Sequence, residues 1–327
     1  MKDDKKGFKP YLGLTFLIGF GFFTMGLMDP LYDTYVPIFL GRYVSSMTLI
    51  GLIMTLDNIF ALFLIPLSSV ISDRTRTGIG RRMPFIITLL PLTALFFGSL
   101  MPDLIPAEYR SEANGVINTM GGVATIVGTI GLARLMDIDI VLPLLGKTKD
   151  RLPFPLAGLL VVLAVILLFV LVKEKKQSGN AAAEKKEPIL ASLKAIAGQS
   201  DKSAFFILIS LFLWFLGYQG VLPFIGKYSL DVLGTSSGTA ALAAGMVGVA
   251  YAIFALPSGY VAHRKGRKKT IRASLLVIVG LTVLLFFHDP LSSGLSASLR
   301  LYSFWLIMFA FGMFWVSIVT NSFPMLW

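Results

Sequence analysis

Three acids sit within or beside long apolar runs, where their types and places suit proton chemistry. Asp57 lies mid-run in IMTLDNIFALF, beside Asn58. An ionisable group inside a membrane span is costly and marks a functional site by default. Burial raises the proton affinity of a carboxylate, so Asp57 is expected to carry a coupling proton. The competing reading is a structural hydrogen bond to a neighbouring helix. Asp29 and Asp33 flank Pro30 in MDPLYDTYVPIFL. If the proline breaks the helix near Met28, both acids face water. If the helix continues to Leu40, they line an internal cavity.

A second constellation is a charged string that occurs twice. The first copy, around SDRTRTGIGRRMP (72–84), reads S-x-x-x-D-R-(x5)-G-R-R from Ser69, through Asp73 and Arg74, to Gly80, Arg81 and Arg82. The second, within SGYVAHRKGRKKT, reads G-x-x-x-H-R-K-G-R-K through Gly259, His263, Arg264, Gly266, Arg267 and Lys268. Each follows an apolar run that is second in its half of the chain. A glycine ahead of the loop allows close helix approach. A glycine ahead of the basic pair permits a tight turn. Arginines can clamp carboxylates on a helix end and hold the loop at an anionic leaflet. A lone basic loop is an orientation signal; two with similar spacing at equivalent places indicate a transporter built from two similar halves.

The elements that must hold these residues are membrane helices. The chain has 327 residues, 55% hydrophobic and 14% charged, with a net charge of +11 and mean hydropathy of +0.78. A soluble domain carries roughly 25% charged residues, so this chain lacks the polar surface to face water all round. The basic residues cluster in short loops beside apolar runs, which points to the lipid bilayer as partner and away from nucleic acid. Cysteine is absent, so disulfides, thiolate catalysis and cysteine metal sites are excluded, and two histidines, His263 and His288, argue against a histidine metal cluster. No nucleophile–histidine pair suggests an enzyme, and no metal or cofactor is expected.

Nine runs are long and apolar enough to be candidate spans. They are 11–28 (continuing to Leu40), 47–71, 84–101, 114–133, 153–172, 203–225, 239–262, 271–288 and 301–327. A polar segment, KEKKQSGNAAAEKKEP, separates five from four. The expected organisation is an N-terminal bundle over 1–172, a cytoplasmic linker over 173–202 and a C-terminal bundle over 203–327. The positive-inside rule places the N-terminus, both charged loops and the linker in the cytoplasm. The second half satisfies that count. The first does not, because three spans after the first charged loop leave the linker outside. Either the join at FFGSLMPDLIPAEYRSEANG is shortened, or one weak run such as 114–133 is re-entrant.

The charged pair resembles the signature loop of the major facilitator superfamily. SDRTRTGIGRRMPFI with Pro66, DPLYDTYVPIFLG and MPDLIPAEYRSEANG together resemble its sucrose/proton symporter branch, near the glycoside–pentoside–hexuronide cation symporters. That resemblance implies an all-α, two-bundle membrane fold of which about nine of twelve spans are present. Span four and spans eleven and twelve have no counterpart, so the chain resembles an internally shortened and C-terminally truncated symporter. Asp73 would then lack the start of span eleven as its latch partner. His263 stands where the second acid would be, implying a weaker, pH-dependent latch, and Ser69 replaces the usual glycine. Because VPIFLG resembles the end of span one, the resemblance implies that Asp29 and Asp33 lie inside the helix.

The implied activity is proton-coupled symport of a sugar or glycoside by alternating access in the plasma membrane. Melibiose-type members place a cation-binding aspartate where this chain has Ile65, so Na+ coupling is less supported than H+. Sugar sites pair aromatic faces with amides and hydroxyls. Candidates are Tyr218 and Gln219 in WFLGYQGVLPF, Trp305 and Asn321, each also explicable as packing. The Met and Phe stripe FAFGMFW reads as packing or lipid contact. Efflux of another small metabolite and a membrane-inserted remnant without transport are the alternatives.

Overall fold

A computed structural model describes residues 8–75, 77–78, 84–85, 104–106, 109–143, 146–172, 198 and 200–322. Among these, seven helices are long and apolar enough to cross a membrane. A lipid-exposed backbone must satisfy its own hydrogen bonds, which is why each apolar run closes into a helix. Of the nine expected runs, 84–101 falls outside the described residues apart from Pro84 and Phe85. Run 47–71 is helix α2 (Met47–Arg74), of which the described apolar part, Met47–Leu56, is too short to count.

Helix α1 (Lys9–Leu40) passes through both Pro30 and Pro37 without ending. At 1.5 Å per residue it is about 48 Å long. The proline break that would have left Asp29 and Asp33 outside does not occur, because neighbours pack the helix on several sides and bury Leu31 and Tyr35 fully. Helix α3 (Arg110–Ile126) continues through a π-helical turn (Val127–Leu132) and a 3-10 turn (Ala133–Asp137). The result is one unbroken 25-residue segment, Ala113–Asp137, not a re-entrant loop.

Helix α3 lies between α1 and α8 (Leu242–Lys265). Two consecutive glycines make this possible, since neighbours in a helix point about 100° apart. A Cβ added to Gly26 of α1 would fall on the Gly121 backbone, and one added to Gly122 would lie 2.6 Å from the Ala252 nitrogen of α8. Thr125 adds a bond across the first seam, donating its hydroxyl to the Gly26 carbonyl at 3.0 Å. Small residues of this kind let helix backbones meet in a membrane, where apolar burial gives no net drive.

After α3 the chain forms a two-residue hairpin, β1 (Val141–Leu142) against β2 (Gly146–Lys147). This is a minor β element that the apolar pattern did not foreshadow. It is pinned by the buried Thr148 hydroxyl, which donates to the Ile138 carbonyl and accepts from the Ile140 N–H. Helix α4 (Pro153–Leu171) then runs back along α1. Phe154 packs on Tyr35 and Phe39, while Val165, Leu168 and Val172 pack with Ile18.

Tyr11 of α1 packs on Tyr109 just ahead of α3, and Gly19 lies against Met120. So α1 and α3 are parallel and start at one end of the molecule, and α4 returns to it. This is the end from which the expected linker must leave. The same end carries the turn between α8 and α9 (Arg267–Phe286) with its basic residues. It is the basic end of the molecule; the opposite one is the far end.

In the second half, α5 (Ser203–Gln219) and α6 (Leu222–Asp231) form one span, and α7 (Ser237–Ala240) leads into α8. A short α10 (His288–Ser292) precedes α11 (Ala297–Ser322). Helix α11 buries 56% of its apolar window and the α7–α8 span 50%, against 11% for α5–α6 and for α9. The first two therefore make the core. The latter two turn residues such as Phe212 and Leu276 outward, which suits lipid and would be untenable in water.

Candidate functional site

Where the two halves meet, α1 brings acids to an aromatic cluster built by α5, α8 and α11. The Tyr218 ring lies flat on Trp315, with centroids 4.3 Å apart and planes within 11°. Phe215 meets the same indole edge-on at 5.5 Å, and Phe311 stacks near Tyr218 at 6.1 Å. The Trp315 indole N–H lies close enough to the Tyr251 hydroxyl to act on it. Buried Trp and Tyr need such partners for their polar tips, so each ring is held in one orientation. Asp33 and Asp29 are near enough for their charges to act on the Tyr218 hydroxyl. The two acids are four residues apart and so share a face of α1. Asp33 is half-buried and Asp29 exposed.

Local sequence explains this placement. Gly312 lets α11 press on α8, since a Cβ there would lie 2.8 Å from the Val247 Cα. One turn later this brings Trp315 to Tyr251. Gly226 does the same for the two halves: a Cβ would lie 3.0 Å from the Thr34 carbonyl of α1, which draws α6 against the turn after Asp33. The arrangement can bind a ligand that offers an apolar face to aromatic rings and hydroxyls or positive charge to carboxylates.

The other expected residues are spread out. Gln219 is the last residue of α5 and half-buried. Trp305 stands ten residues before Trp315 on α11, about 15 Å along the axis. Its indole nitrogen is buried with no hydrogen-bond partner among the described residues, and its ring meets Tyr302 edge-on. Asn321 lies near the basic end, 3% exposed, donating to the Ser317 carbonyl at 2.7 Å and the Ser258 carbonyl at 3.4 Å. Neither joins the Tyr218 cluster. The side chains of Asp57, Asn58, Ser69, Asp73 and Arg74 lie outside the described residues, as do Gly80, Arg81 and Arg82.

The second charged copy is described in full. His263, Arg264 and Lys265 form the last turn of α8, where positive charge complements the carbonyl end of a helix. Gly266 alone joins α8 to α9, at φ 88° and ψ 133°, a conformation essentially restricted to glycine. Arg267 and Lys268 open α9. Arg264 lies over the Tyr260 ring at 4.5 Å. Among the described residues, a Cβ at Gly259 meets Thr320 at 3.9 Å, which is ordinary contact. Closer approaches fall at Gly122, Gly226, Gly248 and Gly312, among others. Gly259, His263 and Arg267 line a cavity of about 530 Å3 with Gly115 of α3 and Thr320 and Asn321 of α11.

The sequence pattern does not single out Trp315 or Tyr251. Trp315 ends FAFGMFW, a stripe whose composition cannot separate a packed ring from a ligand-facing one. The signal that could find it is Gly312 three residues earlier, since a glycine inside an apolar helix marks a close neighbour. A family model described as Major Facilitator Superfamily matches residues 97–326. No curated protein matches the chain.

Proposed function

Since the chain belongs to the Major Facilitator Superfamily and is a multi-pass membrane transporter with no enzymatic activity, we propose that it carries a sugar or glycoside together with a proton. The observation that supports this most directly is the Tyr218–Trp315 stack facing Asp33 and Asp29 across the junction of the halves. Aromatic faces pack on the C–H faces of a sugar ring, and carboxylates accept its hydroxyls. Asp33 takes the proton and Tyr218 reports it: neutralising Asp33 removes a negative charge acting on the Tyr218 hydroxyl. Asp29 supplies a second acceptor, Gln219 an amide at the end of α5, and Asp57 with Asn58 a further polar pair on α2. Trp305 and Asn321 contribute by holding α11.

The halves rock about this site in alternating access. The basic end faces the cytoplasm, because its turns carry Arg264, Lys265, Arg267, Lys268 and Lys269, and the membrane is the plasma membrane. The charged loop around Asp73 and Arg74 steadies that end, with His263 in the matching place of the second copy. The coupling ion is H+.

Uptake of labelled disaccharide into proteoliposomes under an imposed proton gradient tests this. Asp33→Asn is expected to lower gradient-driven accumulation at least about tenfold, equivalent to 1.4 kcal/mol, while exchange at equal sugar concentrations survives. Accumulation indifferent to the gradient, or unchanged in the variant, would refute proton coupling through this site.

A further inference from the structure

At the far end, one carboxylate that the transport reading leaves unused grips the opposite half. Asp137 ends the α3 segment. Its Oδ1 accepts the backbone N–H of Gly238 at 3.1 Å, and its Oδ2 accepts the hydroxyl of Ser236 at 2.8 Å. Both partners lie at the start of α7, which leads directly into the core helix α8. Tyr35 of α1 adds a third bond to the same turn, donating its hydroxyl to the Ser237 carbonyl at 3.0 Å. Three consecutive residues of the second half, Ser236 to Gly238, are thus held by two helices of the first. Gly238 is shaped for this: a Cβ there would collide with the Asp137 carboxylate and lie 3.0 Å from the Ala133 carbonyl.

Asp137 and Ser236 are exposed, so water competes for their bond, whereas Gly238 is buried; a hydrogen bond from such a buried N–H to a charged group moves a two-state equilibrium by about tenfold. A carboxylate accepting such a bond across the seam can therefore decide which end of the molecule is shut.

We propose that Asp137 is the positioning residue of the far-end gate, which holds the two halves together there and must let go before that end opens. Tyr35 is the second arm of the same latch. This rests on alternating access, and not on the identity of the sugar or ion. Its test uses no substrate, so it can fail while transport stands.

The chain has no cysteine, so single-cysteine reporters have no background. Thr129 is fully buried against Gly245 on the α3–α8 seam, and Thr34 is 1% exposed against Gly226 on the α1–α6 seam. Purified protein in detergent carries Thr129→Cys or Thr34→Cys and reacts with a small maleimide, which makes the result independent of orientation. Asp137→Ala is expected to raise both labelling rates at least about tenfold. Asp137→Asn keeps one acceptor and falls between. Gly238→Ala, placed on the opposite half, reproduces the effect of Asp137→Ala. A control cysteine at Ser274 on α9, 3% exposed, stays slow in every variant.

Unchanged rates at both seams in Asp137→Ala would overturn the proposal. So would an equal rise at Ser274→Cys, because that outcome means loosened folding and not a released gate.

Discussion

The two ends of the seam between α3 and α8 are built on different principles. Towards the far end the helices meet backbone to backbone. A Cβ on Gly122 would lie 2.6 Å from the Ala252 nitrogen and 3.0 Å from the Gly248 carbonyl, and Asp137 closes the end with two hydrogen bonds. Towards the basic end, Gly115 meets, among the described residues, the tip of the Leu256 side chain, and the 530 Å3 cavity opens beside it. Backbone contact has nothing that can yield, whereas a leucine tip can change rotamer at little cost. One end is therefore a tight joint and the other a yielding one. A molecule that rocks about a midplane site needs such a pair when it rests with one side shut.

The largest test of this contrast pairs a substitution from each end. Gly122→Leu forces side-chain volume into a backbone contact and is expected to cost about 3 kcal/mol or more, read as loss of a monodisperse species on size exclusion. Leu256→Ala, at a half-exposed position on the yielding end, is expected to cost less than about 1 kcal/mol. Similar losses for the two would erase the distinction.

A smaller effect probes a stiff point at the basic end. Gly266→Ala places a side chain at φ 88° and is expected to cost about 1–3 kcal/mol. It should lower the thermal midpoint by a few degrees while leaving Thr129→Cys labelling slow, since it does not touch the far end. Faster labelling there would mean that the two ends are coupled through α8.

The smallest is a pH effect at the far end. His288 accepts or donates on both ring nitrogens, to Tyr228 at 2.7 Å and Ser303 at 2.9 Å. Burial and the positive charge of Arg300 hold its pKa below the ordinary value of 6.5, against smaller upward effects from a backbone hydrogen bond and Asp289. The folded protein therefore binds fewer protons than the unfolded chain just below pH 6.5. The stabilisation is present above that pH and is lost as pH falls through the lowered pKa. A decrease of about 2 °C in thermal midpoint between about pH 7 and pH 5.5 is expected, and His288→Gln should flatten it. An equal decrease in that variant would assign the effect elsewhere.

Much of the architecture is legible in the sequence. Run length and the absence of charge mark most of the spans, because a backbone in lipid has helix as its simple solution. The GRKK turn marks a helix junction, since a glycine before clustered positive charge has few other uses. Two alternatives that the sequence leaves open are decided by the fold. The run at 114–133 is a full segment, and its glycines, which weaken it as a helix by propensity, are the residues that let it sit between two others. Pro30 does not end α1, because packing against α3, α4 and α6 outweighs one missing backbone bond.

What composition and spacing determine by themselves is the environment: a chain this apolar, with its positive charge gathered in short turns, is a bundle of membrane helices with distinguishable ends. What only the tertiary structure decides is which residues meet. Asp33 and Tyr218 come from opposite halves of the chain, Asp137 and Ser236 are 99 positions apart, and nothing local to either member names the other. The contacts follow from where glycines let backbones close to within van der Waals range, and that is a property of pairs of helices, which no single run of sequence contains.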